Sequence, residues 1–236
     1  MTEKEKQQAG ELYDASDREL FTDRVKARKL CGEFNTLEYN DFQKRERLID
    51  RIVALKGDDV TIEAGFLCNY GYNIVIGNNF HADINCIMID NAEITFGDNV
   101  YIGPNCCICT AERPLEAVVR NSGLERAKPV KIGSNVCFGS NVTIAAGVTI
   151  GDNVVISAGS AVTKDIPSDC IAAGNPCLPV KVIDSFSEAA PVQNEAPQAA
   201  PASPAQQEAK KPSRHIEVHR VDTPPHSNND FPNNKR

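Results

Sequence analysis

Apolar residues between about Val60 and Ile183 recur at every sixth position, a spacing that neither an α-helix nor an ordinary antiparallel strand produces. Ile132, Phe138, Ile144, Ile150, Ile156 and Val162 form the leading series. Val136, Val142, Val148, Val154, Ser160 and Ile166 follow, each four residues behind its leader, and a small residue usually stands directly after the leader, as at Gly133, Gly139 and Gly151. The spacing also appears earlier, at Phe96, Ile102 and Ile108, and between Ile76-Gly77 and Phe96-Gly97 the phase slips by two residues. A chain that turns a corner once per hexad buries the same positions in every coil, so the pattern predicts a mainly β protein: a parallel β-helix over residues 58–183, about three hexads to each triangular coil. Asn78-Asn79, Asp98-Asn99, Ser134-Asn135 and Asp152-Asn153 suit its corners, because Asn tolerates left-handed backbone angles. Ile108 and Ile132 stand four hexads apart, so residues 109–131 leave the coil and return in phase as an inserted loop.

Before the repeat, residues 1–57 read as a helical cap. Ser16-Asp17-Arg18-Glu19 has capping-box form and precedes Leu20, Val25, Cys31 and Phe34 among many charges. A second helix is predicted from about Asn40 to Leu55, with Leu48, Ile49, Ile52 and Val53 as its apolar stripe and Gly57 as its stop. After the repeat the composition shifts to Ala, Pro, Gln, Ser and Asn. Residues 184–236 are therefore read as disordered, for want of apolar surface to offset the entropy of ordering. His215 and His219 stand there at helical spacing, beside the modest basic cluster Lys210, Lys211, Arg214 and Arg220, and a solvated tail is the favoured reading of both.

Composition narrows the field. Aromatic residues make up 6% of the 236-residue chain and Trp is absent, so the core must be filled by Val, Ile, Ala and Cys, which suits stacked strands. A net charge of -7 argues against a nucleic-acid surface. The chain has no apolar run near the roughly 20 residues that span a bilayer and no hydrophobic leader, so a cytoplasmic protein without a membrane partner is expected. The 9 cysteines form no regular framework and read as reduced core thiols. Cys106-Cys107-Ile108-Cys109 has no second ligand pair at zinc spacing, so no metal is expected.

Several local motifs resemble the maltose, galactoside and nodulation-type sugar O-acetyltransferases of the hexapeptide-repeat family. They are Ala9-Gly10-Glu11-Leu12-Tyr13, Tyr70-Gly71-Tyr72-Asn73-Ile74, Asn121-Ser122-Gly123 with Lys128-Pro129-Val130, Thr163-Lys164-Asp165-Ile166-Pro167 and Ala173-Gly174-Asn175-Pro176. The resemblance covers residues 1 to about 183. It implies a left-handed β-helix assembled as a homotrimer, with acetyl-CoA as co-substrate lying along the cleft between neighbouring copies and a sugar hydroxyl attacking its thioester. It implies cofactor contacts at Cys137, Ser140, Ala145, Thr163 and Lys164, with Lys164 near a phosphate. It also implies acceptor contacts at Asp83, Asn69, Asn85 and Asp90, and at Asp14 or Asp17 in the cap.

The chain departs from that family at the chemistry itself. The family's basic histidine lies in a Thr-Ala-Thr-His-Pro stretch, and here Thr110-Ala111-Glu112-Arg113-Pro114 puts Arg113 in its place. A guanidinium cannot accept a proton near neutral pH. Asp83 stands for the family's acceptor-contacting asparagine, Cys137 for a tryptophan beside the cleft and Leu178 for a basic residue. Three readings follow. Transfer persists with a substitute base, for which Glu112 or Asp83 would need burial and His81 would not. Or the fold binds acetyl-CoA without transferring the acetyl group, with Arg113 holding an anion. Or the trimer is an interaction module that works through its tail.

Overall fold

A computed structural model describes residues 1–183; the expected disorder of 184–236, with its histidine pair and basic cluster, lies outside the described residues. The hexads wind into three parallel faces. The first face holds Leu55–Lys56, Ile74–Ile76, Ile94–Phe96, Val130–Ile132 and Thr149–Ile150. The second holds Val60–Ile62, Phe80–Ala82, Val100–Ile102, Val136–Phe138, Val154–Ile156 and Cys170–Gly174, closed by an antiparallel last strand, Cys177–Val182. The third holds Leu67–Cys68, Ile87–Ile89, Cys107–Cys109, Thr143–Ile144 and Ala161–Val162.

Both hexad series point into the coil, and none of their twelve members is more than 3% exposed. Each buried Ile or Val contributes on the order of 1.5–3 kcal/mol by leaving water. Ser160 is the polar member, and its hydroxyl is satisfied, donating to Ser157 O at 2.7 Å and accepting from Gly174 N at 3.1 Å. Asn79, Asn99, Asn135 and Asn153 take the left-handed conformation at the first-to-second corner, with φ of 51°, 58°, 59° and 55°. The side chains of the first three form a ladder, Asn79 Nδ2 donating to Asn99 Oδ1 at 2.8 Å and Asn99 Nδ2 to Asn135 Oδ1 at 3.0 Å, while Asn153 Nδ2 donates to Asp169 Oδ1 at 2.8 Å.

The two-residue slip has a structural cause. Lower strands pair at a register of twenty, Ile74 with Ile94, whereas upper strands pair at eighteen, Ile132 with Ile150. The surplus sits at the third-to-first corner, where the turn through Asn69–Asn73 needs Gly71 at φ 77°. A Cβ on Gly71 would run into the carbonyl oxygen of Ile52, so this wide corner is also where the cap docks.

The cap is three helices, α1 (Glu3–Gln8), α2 (Arg18–Asn35) and α3 (Phe42–Ile52). The capping box belongs to α1, where Thr2 and Glu5 exchange bonds, rather than to the segment after Ser16. Asp17 alone caps α2, accepting from Glu19 N at 2.9 Å and Leu20 N at 3.2 Å. Leu20, Cys31 and Phe34 are buried as expected, but Val25 is 51% exposed on the outward side of α2. The stripe Leu48, Ile49, Ile52 and Val53 is buried. The helix, however, ends at Ile52 and not at Leu55, because Ala54 N is already donated to Ile74 O of the coil; Gly57 follows the first strand and stops no helix.

The inserted segment is ordered. Ala111–Glu112 pairs antiparallel with Leu124–Ala127, with the short α4 (Ala117–Asn121) between them, and Leu124–Ala127 pairs in turn with the cap strand Tyr13–Asp14. All nine cysteines are free thiols, and no described helix is long and apolar enough to cross a membrane.

Candidate active site

Topology sorts the candidate residues into two groups. Asn69, Asp90, Glu112, Arg113, Ala145, Thr163 and Lys164 follow strands of the third face, at its corner with the first. His81 and Cys137 project from the second face, and Asp83, Asn85 and Ser140 follow it at its corner with the third. The groups therefore occupy opposite edges of the third face.

Arg113 is fastened. Its Nη2 donates to Glu125 Oε1 at 2.9 Å, and Glu125 Oε2 accepts from Tyr13 Oη at 3.2 Å and from Asn91 Nδ2 at 3.3 Å. Asn91 passes the chain on, donating to Tyr13 Oη at 2.7 Å and accepting from Asn69 Nδ2 at 2.8 Å, while Asn69 Oδ1 accepts from Arg28 Nη2 at 3.0 Å. Burial pushes the Tyr13 phenol up to about 12, so it remains a donor. Glu112 is half-exposed and ion-paired to Lys128 at 2.6 Å, so the burial required of a substitute base is missing. A cleft of about 330 Å³ opens beside these residues, between Leu12, Glu112, Arg113, Leu115, Arg126 and Lys128.

Several expected acceptor contacts have structural work instead. Asp90 is 0% exposed, and its carboxylate accepts from Asn69 N and Tyr70 N at 2.8 Å and from Gly71 N at 2.6 Å. It anchors the wide corner and cannot touch an acceptor. Burial pushes its carboxyl up to about 6 against those three donors. Asn69 spends both side-chain atoms on Arg28 and Asn91. Asn85 is a left-handed corner residue with φ 59° and donates to Asn105 Oδ1 at 3.0 Å. Asp17 serves as a helix cap. Asp14 is exposed, and bonds from Ser16 Oγ and Ser16 N hold its carboxyl below the usual carboxylate range.

On the second face His81 stacks on Tyr101, the ring centroids 5.1 Å apart and the planes 4° off parallel. Tyr101 Oη donates to Asp83 Oδ2 at 3.3 Å, and Asp83 Oδ1 accepts from Ile84 N at 2.7 Å. Cys137 is the next rung above Tyr101 and is half-buried. Thr163 and Lys164 are exposed, and Lys164 makes no ion pair with any described residue. Among the described residues no group of three His, Cys, Asp or Glu side chains is arranged to hold a metal.

Sequence reasoning missed Tyr13, Asn91, Tyr101 and Glu125. Tyr101 was findable, since the twenty-residue register stacks it on His81. Glu125 was not, because its pairing with Tyr13 joins segments with no common period.

Residues 6–57 match the maltose acetyltransferase hexapeptide capping motif, and residues 129–164 match the hexapeptide repeat of succinyl-transferase. The chain is 40% identical over 180 residues to the galactoside O-acetyltransferase of Escherichia coli strain K12, covering 76% of this chain and 89% of that one. A maltose O-acetyltransferase from Clostridium difficile 630 superposes with a TM-score of 0.72 at 45% identity, over 78% of this chain and 98% of that one. A galactoside acetyltransferase in complex with coenzyme A superposes with a TM-score of 0.76 at 40% identity, over 78% and 92%.

Proposed function

The chain belongs to the maltose and galactoside O-acetyltransferase family of hexapeptide-repeat proteins, and from that membership we propose that it moves the acetyl group of acetyl-CoA onto a hydroxyl of a sugar or similar acceptor. In that reaction the acceptor oxygen attacks the thioester carbonyl carbon and the C–S bond breaks. An ester forms, and the acceptor's proton ends on the CoA sulfur. The thioester is already activated, so the protein need only position the reactants and move that proton.

One observation carries the reading: the inserted segment with Arg113, then Ala145, then Thr163 and Lys164 form one column along the third-to-first corner. A long ligand running up that edge would meet the cleft at its foot and the free Lys164 ammonium near its top, and the coenzyme A complex of the relative supports a CoA in that role.

The outward side chains favour a homotrimer. On the third face Leu67, Ile87, Ile89, Cys107, Cys109 and Ala161 are only half-exposed and apolar. The upper second face adds Cys137, Val155 and Ile171, whereas the first face is mixed, exposing Lys131 and Thr149 in its upper half and Leu55 at its foot. The third face, apolar but for Thr143, and the apolar upper half of the second face suit a closed ring in which each third face packs on a neighbour's second face. The two groups of site residues would then meet across the seam.

A second reading has its own support. The family's base position holds a cation tied to Glu125, which suits a protein that binds acetyl-CoA without turning it over. Incubating the full chain with acetyl-CoA and a panel of mono- and disaccharides while following free-thiol release separates the two. Acceptor-dependent thiol release supports transfer; tight CoA binding without release supports the second reading.

A further inference from the structure

Taking acetyl transfer as its premise, we infer that His81 takes the acceptor's hydroxyl proton and that Tyr101 and Asp83 are its positioning residues. His81 is the sole histidine among the described residues, and an imidazole ordinarily titrates near neutral pH. Of the carboxylates near Arg113, Glu125 is held by Arg113 itself and Glu112 by Lys128, while Glu116, which lines the same cleft, is exposed and lacks the burial that would make it a base near neutral pH.

The second face's outward ladder runs Thr61, His81, Tyr101, Cys137, Val155, Ile171. Its upper half is apolar and suits a subunit seam. Its lower half is polar, and a polar cluster on a seam needs hydrogen-bond partners, which a cleft with water or a hydroxylated acceptor supplies. His81 also lines an open groove of about 520 Å³, shared with Thr61, Arg45 and Asp59.

The local geometry fits a base that must hold still. Asp83 is fixed by the Ile84 amide, the Tyr101 hydroxyl is fixed by Asp83, and the parallel Tyr101 ring sets the plane of the imidazole. When His81 takes the proton, the imidazolium forms against the π face of a phenol whose O–H is donated to a carboxylate, which favours the new positive charge. The acceptor oxygen attacks the thioester carbon, the C–S bond breaks, and the imidazolium returns its proton to the departing thiolate. His81 is then neutral again.

The test uses the full chain, acetyl-CoA and the saccharide panel, with thiol release as the readout. His81→Ala and His81→Gln should each lower kcat by roughly 10²–10³-fold, leave the KM for acetyl-CoA within about twofold, and regain part of the rate when free imidazole is added. Tyr101→Phe keeps the stack and should cost only a few-fold in kcat. Tyr101→Leu should cost about tenfold or more. Wild-type kcat in both His81 variants would overturn the inference and leave transfer standing. So would a loss in variants with wild-type melting that imidazole fails to restore. If the wild-type protein binds acetyl-CoA yet releases no thiol with any acceptor, the transfer reading falls and the inference falls with it.

Discussion

Arg113→His puts an imidazole at the loop position that the motif resemblance gives to a basic histidine, and its outcome depends on whether Arg113 is a disabled base position or a structural fastening. The stability term is bounded by the ion pair. Arg113 is 59% exposed and Glu125 13%, so solvent screens the pair and its loss costs about 1 kcal/mol or less. Glu125 keeps the Tyr13 and Asn91 donors at 3.2 and 3.3 Å, so it is not left buried without partners. For a chain of this size that is a fall of roughly 2–4 °C in Tm. The activity term is far larger: a correctly placed general base contributes about 10²–10⁴-fold to a rate. If His81 already takes the proton, a second imidazole adds nothing and kcat should stay within about threefold of wild type. Steady-state thiol release and a melting curve measure both terms on one sample. A hundredfold rise in kcat, retained when His81→Ala is added to Arg113→His, would refute the reasoning, since the proton would then leave through position 113.

The buried Asp90 gives a pH-dependent prediction. Its folded pKa of about 6 lies above the ordinary 3.8, so its contribution to stability is fully present below pH 4 and is lost as pH rises through 6, a swing of about 3 kcal/mol. Wild-type Tm should accordingly fall relative to Asp90→Asn between pH 4 and 6 and run parallel above; a relative rise would mean that the three backbone donors outweigh burial. Asn135→Ala removes a rung of the corner ladder and forces a β-carbon residue without a capping amide to φ 59°, so chemical denaturation should register a loss of about 1–2 kcal/mol. Lys164→Ala should raise the KM for acetyl-CoA about five- to tenfold with little change in kcat, and a change confined to kcat would remove Lys164 from the phosphate-contacting role.

The fold was legible because a hexad repeat states its geometry in one dimension. Ile132 through Val162 bury the same face of every coil, and the Asn of each Asx-Asn pair or Ser-Asn pair falls on the corner that needs a left-handed residue. The two-residue slip was also visible, but its meaning was not. It widens one corner, and the residue that fills the widening, Asp90, looks from sequence like any other polar corner residue. The site was read less well for the same reason. Residues such as Asp90, Asn69 and Asn85 carry the chemistry of ligand contacts, yet their bonds go to backbone amides and to neighbouring side chains one coil away. Partners that lie in a different kind of element, such as Tyr13 with Glu125, leave no periodic trace.

What joins these observations is the mechanical link between cap and loop. The strand Tyr13–Asp14 completes a small antiparallel sheet with both strands of the inserted segment, and the chain of polar contacts from Arg28 through Asn69, Asn91, Tyr13 and Glu125 ends at Arg113. Asp90 holds the backbone from which Asn69 projects. A loop placed this way is fixed by the cap at one side and by the coil at the other, and each partner is satisfied inside the subunit. Arg113 therefore adds one screened ion pair to a loop that the cap and the coil already hold, and it does so with a charge that stays constant across the neutral pH range. If the chain transfers acetyl groups, a guanidinium at position 113 leaves the proton to be taken elsewhere, and the second face, with its stacked imidazole and phenol, is the surface equipped to receive it.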